Sequence, residues 1–112
     1  MADCIFCEIA AGRAPARLVF EDDQVVAFED IEPRAPVHVL VVPRKHLADA
    51  REATQDGLLP RLFEAAHTVA ADRGVAGSGY RLVFNVGADA GQAVDHAHLH
   101  VLGGRPLRWP PG

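Results

Sequence analysis

His96-Ala97-His98-Leu99-His100-Val101-Leu102 alternates imidazole and apolar side chains along its length. A period of two is that of a β-strand, in which alternate side chains share a face. The pattern predicts a strand over residues 94–102, with Ala97, Leu99 and Val101 turned into a core. His96, His98 and His100 then form a row on the other face, spaced about 6.6 Å apart along the strand. Such a row has three readings: a solvated polar face, a metal site or a catalytic face.

The loop before this strand narrows the choice. Asn85-Val86-Gly87 and Gly91-Gln92-Ala93 bracket a stretch whose backbone can approach a ligand closely. Its N–H groups could cradle an anion, and beside an imidazole row that suggests a phosphate held against a histidine nucleophile. Further upstream, residues 80–86 read as a strand and residues 57–73 as the one long helix. Leu58, Leu62, Phe63, Ala66, Val69 and Ala70 recur there at spacings of three and four, and Gly74 ends the run. Residues 37–42 are dense in β-branched side chains and are closed by Pro43. Residues 18–21 and 24–28 form a hairpin about Asp22-Asp23. Residues 4–11 make a short helix with Ile5, Phe6 and Ile9 as its apolar side, stopped by Gly12 and Pro15. The expected fold is α+β: a five-stranded antiparallel meander with one main helix and a short N-terminal helix, in a single domain 1–112.

Composition fits that size and excludes other classes. A chain of 112 residues, 49% apolar and 23% charged, holds one core and is not disordered. Eleven Lys and Arg against fifteen Asp and Glu leave a net charge of -4, the wrong sign for a nucleic-acid groove. No apolar run approaches the ~20 residues that span a membrane. The opening Met1-Ala2-Asp3-Cys4 has neither the basic nor the apolar region of a signal peptide. Two cysteines cannot make a multi-bridge framework, so a cytoplasmic location is expected.

The triad strand resembles the His-X-His-X-His motif of the histidine-triad (HIT) nucleotide-binding family, so the fold expected is HIT-like. The resemblance extends to Phe28-Glu29-Asp30-Ile31-Glu32-Pro33, Ala35-Pro36-Val37-His38, residues 85–104 and Trp109-Pro110-Pro111-Gly112, the last two being similar to the Hint branch. It implies a purine nucleoside phosphoramidate hydrolase or nucleotidyl transferase acting on AMP or GMP conjugates. His98 would attack the α-phosphorus, and a backbone carbonyl would orient its other nitrogen. Neutral imidazole is a competent nucleophile near pH 7. His100 would contact phosphate oxygens, and His38 would support the triad from a neighbouring strand. Asn85 and the backbone of Gly91, Gln92 and Ala93 would bind phosphate. Ile5, Phe6, Phe28, Ile31 and Leu40 would hold the nucleoside, with Asp30 on the ribose hydroxyls. Apolar residues of this kind are also ordinary core. Ala93 stands where the Hint branch commonly has Ser, keeping an N–H and losing a hydroxyl. Asp95 stands where that branch often has an aromatic residue. His67 receives no role.

Cys4-Ile5-Phe6-Cys7 has three readings: a redox pair, two structural thiols, or half of a metal site. A closed zinc site needs four N or S ligands. His46 and His96 could complete it, and the resemblance implies Zn2+ because some bacterial HIT members bind zinc through this pattern. It also implies a homodimer that pairs helix and fourth-strand edges, with residues 107–112 lying across the interface near the partner's site. Two rival functions remain open: a dinucleoside polyphosphate hydrolase, and a nucleotide-binding regulatory module.

Overall fold

Alternation along the strands decides which face each residue serves. The structure is a computed structural model and describes residues 4–112. The reading of Met1, Ala2 and Asp3 as free of a leader lies outside the described residues. The elements are α1 (Ile5–Ala10), β1 (Leu18–Glu21), β2 (Val25–Glu29), β3 (Val37–Pro43), α2 (Leu58–Asp72), β4 (Tyr80–Phe84) and β5 (Leu99–Gly103). Two single 3-10 turns, Ala50–Thr54 and Ala88–Ala90, precede α2 and follow β4. No helix among the described residues is long and apolar enough to cross a membrane.

All strand pairs are antiparallel, in the order β1-β2-β3-β5-β4. The first three strands run as a meander. The chain then crosses over through α2, and β5 slots between β3 and β4, leaving β4 at the edge. On one face, Val25, Ala27, Val39, Val41, Leu99 and Val101 pack beneath Leu62, Ala66 and Val69 of α2. The even-numbered residues of β2 and β3 turn the other way. There Val26, Phe28, Leu40 and Val42 pack against Phe6 of α1. His38 and His100 share that second face, because His100 pairs across from Leu40 and His38 across from Leu102. The pleat therefore separates a purely apolar face under α2 from a face that carries the imidazoles.

β5 is shorter than the alternation predicts, starting at Leu99 rather than at residue 94. The ladder with β3 begins at the pair Val41 and Leu99. Beyond it β3 reaches Pro43, which has no N–H to donate. Ala97 N–H bonds Leu47 O at 2.7 Å instead, so residues 94–98 approach the sheet as a bent segment. At the other end of β5, Gly104 has φ +92°, and a Cβ there would stand 2.9 Å from Pro36. That close approach brings the end of β5 against the start of β3.

Candidate functional site

Two of the three triad histidines, His96 and His98, have one ring nitrogen fixed by a neighbour of known polarity. A carbonyl can only accept, so the ring nitrogen facing it carries the proton. His98 Nδ1 lies 2.7 Å from His96 O, which makes Nδ1 the protonated nitrogen and leaves the lone pair on Nε2. His96 Nε2 lies 2.8 Å from Pro43 O, which leaves its lone pair on Nδ1. His100 Nδ1 lies 2.9 Å from His38 Nε2. Phe6 holds the arrangement from above, edge-on to the rings of His96 at 5.8 Å and His98 at 5.2 Å.

His98 and His100 line a groove of about 1050 Å³. Its wall includes Ile5, Phe6, Phe28, Asp30, Ile31 and Leu40, the six residues expected to hold a nucleoside. They contribute differently. Phe6, Phe28 and Leu40 are buried and double as core, whereas Ile5 is half-exposed and Ile31 is 95% exposed at the rim. Ile9, Arg17, Arg34 and Val94 also line the groove and were not expected. Ile9 lies on the apolar side of the same short helix, a signal already present in its spacing. The two arginines gave no sequence signal.

The expected phosphate loop is brought only partly to this groove. Ala93 lines it, whereas Asn85, Gly91 and Gln92 are not among its lining residues. Gly91 N–H is donated to Ala88 O and Gln92 N–H to Gly87 O. The Gln92 side chain braces the loop, accepting from Gly87 N–H and donating to Ala48 O and Val94 O. These donors hold the loop's shape, so the free backbone donor of that trio is on Ala93. Asp95 is exposed beside the triad segment.

Burial sets the charge of the imidazoles. His100 is pushed down to about 4, first by burial and then by His98 and His38, with Asp30 opposing. His38 and His96 are also lowered, burial being the largest cause for each. An ordinary histidine titrates near 6.5. The neutral rings therefore stabilise the fold fully above about pH 6.5, and this contribution is lost as pH falls toward about 4. The melting temperature should fall across that window, and His100→Gln should flatten the fall. An unchanged slope in that variant would contradict a buried neutral His100.

Cys4, Cys7, His46 and His96 converge at the start of α1, with one ligand atom from each within 4.8 Å of the others. Cys4 Sγ lies 3.3 Å from His96 Nδ1, and Cys7 Sγ lies 3.3 Å from His46 Nδ1 and 3.5 Å from His96 Nδ1. Tetrahedral zinc with bonds of ~2.0–2.3 Å has ligand-to-ligand edges of roughly 3.3–3.8 Å. The chemistry agrees with the spacing. His96 turns its lone-pair nitrogen to the cluster because Pro43 O holds the other. Burial, then hydrogen bonding and repulsion from Cys4, raise the Cys7 thiol, so its thiolate needs a cation beside it. The four residues fit a structural Zn2+.

His67 contacts the Tyr80 hydroxyl across α2 and β4, well away from the groove. Asp30, His38 and His100 form a second cluster of potential ligands. Both nitrogens of His38 are already engaged, with Arg34 N–H at 3.0 Å and with His100, so a hydrogen-bonded chain describes this cluster.

Comparison with known proteins agrees with this architecture. The HIT domain family model matches residues 11–107. An uncharacterized HIT-like protein of Synechocystis is 51% identical, over 98% of this chain and 97% of that relative. The crystal structure of a HIT family hydrolase from Legionella pneumophila is 48% identical. It superposes with a TM-score of 0.94 over 98% of this chain and 100% of that one. A zinc-bound histidine triad family protein from Mycobacterium smegmatis is 33% identical, with a TM-score of 0.83 over 93% of this chain and 76% of that one. With its three histidines on one approach to a central strand and a family match across most of its length, this chain belongs to the HIT domain family.

Proposed function

We propose that the protein hydrolyses purine nucleoside 5'-phosphoramidates, conjugates of AMP or GMP with an amine, through a nucleotidyl-histidine intermediate. One observation carries the reading: His98 has Nδ1 tied to a carbonyl at 2.7 Å and its ring in the wall of a mostly apolar groove. That contact leaves Nε2 as the lone-pair nitrogen of the neutral ring, placed where a nucleotide's α-phosphorus would reach. Support also comes from the relatives named as HIT family hydrolases.

In the first step Nε2 of His98 bonds to phosphorus, the P–N bond to the amine breaks, and the amine leaves with a proton taken from solvent, which the attacking water of the second step returns. In the second, water bonds to phosphorus, the His98–phosphorus bond breaks, and the nucleoside monophosphate departs. His100 and the Ala93 N–H contact the phosphoryl oxygens as they gain charge. Gly91 and Gln92 act by shaping the loop that carries Ala93, and Asn85 stands at the start of that loop. Phe6, Phe28, Leu40, Ile5 and Ile31 take the nucleoside, and Asp30 takes the ribose hydroxyls. Zn2+ on Cys4, Cys7, His46 and His96 would cross-link α1 to the triad segment. A cytoplasmic location suits this, since reducing conditions keep both thiols available. Profiling purified protein on phosphoramidates and dinucleoside polyphosphates tests the substrate class. Higher kcat/KM on phosphoramidates is expected, and the reverse order would overturn it.

The active form is a homodimer joined through the α2 and β4 edges. β4 is one of the two edge strands of the sheet, β1 being the other, and an uncovered edge invites pairing. Arg81 on β4 anchors the tail through Arg108 O at 2.9 Å, while Trp109 beyond it is 81% exposed. A partner's groove would give that ring a place to bury. Deleting residues 107–112 should change kcat/KM ratios between bulky and small amines more than it changes mononucleotide affinity. Unchanged ratios in a truncated protein that is still dimeric would refute the tail's role.

A further inference from the structure

Asp30 stands between the groove and the histidine cluster. Its Oδ1 accepts the Glu32 N–H at 2.9 Å, which fixes the carboxylate. Its Oδ2 lies 3.3 Å from His38 Nε2. His38 is buried, and its Nδ1 accepts the Arg34 N–H at 3.0 Å. A backbone N–H can only donate, so the neutral ring of His38 must carry its proton on Nε2.

That single proton faces two acceptors, His100 Nδ1 at 2.9 Å and Asp30 Oδ2 at 3.3 Å. When it is given to His100, His100 Nδ1 is the acceptor and the His100 proton sits on Nε2. His100 Nε2 is buried and has no hydrogen-bond partner among the described residues. Its ring lines the groove beside His98, with 5.0 Å between ring centroids. A buried donor without a partner is costly, and a ring in the wall of a ligand site can find its acceptor in the ligand.

We propose that Asp30 and His38 couple the sugar contact of the groove to its phosphoryl contact: ribose hydroxyls bound to Asp30 commit the His38 proton to His100, which then presents Nε2–H to the phosphoryl group. This rests on the nucleotide reading above. A diol donating to Asp30 spreads the carboxylate's charge over new hydrogen bonds and weakens its competition for the His38 proton. His38 is a positioning residue in this account, and His100 makes the contact. The charged and titratable groups facing the pair are Asp30, Arg34 and His98. Burial keeps His100 neutral at ordinary pH, so what it presents is an imidazole N–H rather than an imidazolium. Asp30 then does more than hold the sugar. It makes ribose a determinant of turnover as well as of affinity.

The test uses the full chain labelled with 15N-histidine, read by NMR with adenosine or guanosine and with the matching 2',3'-dideoxynucleoside. Adenosine or guanosine should strengthen the nitrogen–nitrogen coupling across the His38–His100 hydrogen bond and move the His100 ring toward the Nε2–H form, His38 keeping its proton on Nε2. The dideoxynucleoside, bound in the same groove, should leave these signals as in the free protein. In turnover, the dideoxy phosphoramidate should lose about tenfold or more in kcat beyond any change in KM. His38→Gln can still donate to His100, so it should retain more kcat than His38→Phe. Equal responses to both nucleosides, or no response from either when both bind, would overturn the relay alone. If neither nucleoside perturbs the groove residues, the nucleotide reading falls and the relay falls with it.

Discussion

Replacing His98 by alanine is expected to lower kcat by several orders of magnitude while leaving ground-state nucleotide binding largely intact. The groove wall is shared among α1, the loop before β1, the end of β2 with the loop after it, and Leu40 of β3, so its shape survives the loss of one imidazole. The covalent route does not survive, because no other ring in the triad has a free nucleophilic nitrogen toward the groove. His96 turns its lone pair to the cysteines, and His100 uses Nδ1 as an acceptor for His38. Losing the two-step path removes the main source of rate acceleration. A variant that kept more than about a tenth of wild-type kcat, less than roughly 1.4 kcal/mol in barrier, would contradict the assignment.

The second large effect concerns the metal cluster. Purified protein should carry about one zinc per chain, and chelation or a Cys4→Ser, Cys7→Ser double variant should lower thermal stability sharply. α1 is six residues long, too short to persist without tertiary support. Its attachments are Phe6 in the second core, Arg44 donating to Ala10 O at 2.6 Å, and the two cysteines. A loss of about 3 kcal/mol would lower the melting temperature by roughly 10–20 °C in a domain of this size. The fall in kcat should be smaller, because the site has four protein ligands and no open position for substrate. Zinc-free protein from a reducing, chelator-free preparation would count decisively against the site.

The sequence makes the two layers legible because their periods are unmixed. Leu58, Leu62, Ala66, Val69 and Ala70 repeat at helical spacing, and Val39, Val41, Leu99 and Val101 at strand spacing. The position of β5 inside the sheet is not written in any local pattern, since an edge strand and a neighbour to the centre read alike in one chain. Side-chain motifs of the site are equally legible: the Cys-x-x-Cys pair and the triad carry their chemistry in their residue types. The backbone's share is not. Pro43 O fixes His96, His96 O fixes His98 and Arg34 N–H fixes His38, and every residue type has that carbonyl and all but proline that N–H. For the same reason the donors of the phosphate loop are not legible in the sequence. Its glycines announce freedom of approach, but not that the Gly91 and Gln92 donors are already used inside the loop.

The central claim is that His98 Nε2 becomes bonded to phosphorus during turnover. Mixing the protein with an excess of a phosphoramidate, quenching in alkali within a turnover and weighing the intact chain tests it directly. A phosphorus–nitrogen bond to histidine survives alkali and is cleaved by acid. The account predicts a population heavier by one nucleoside monophosphate less water, with the added mass on the peptide containing His98 and lost after mild acid. Turnover with the added mass on another residue, or with none at quench times where the wild type is saturated and a slow-leaving intermediate must accumulate, would contradict it.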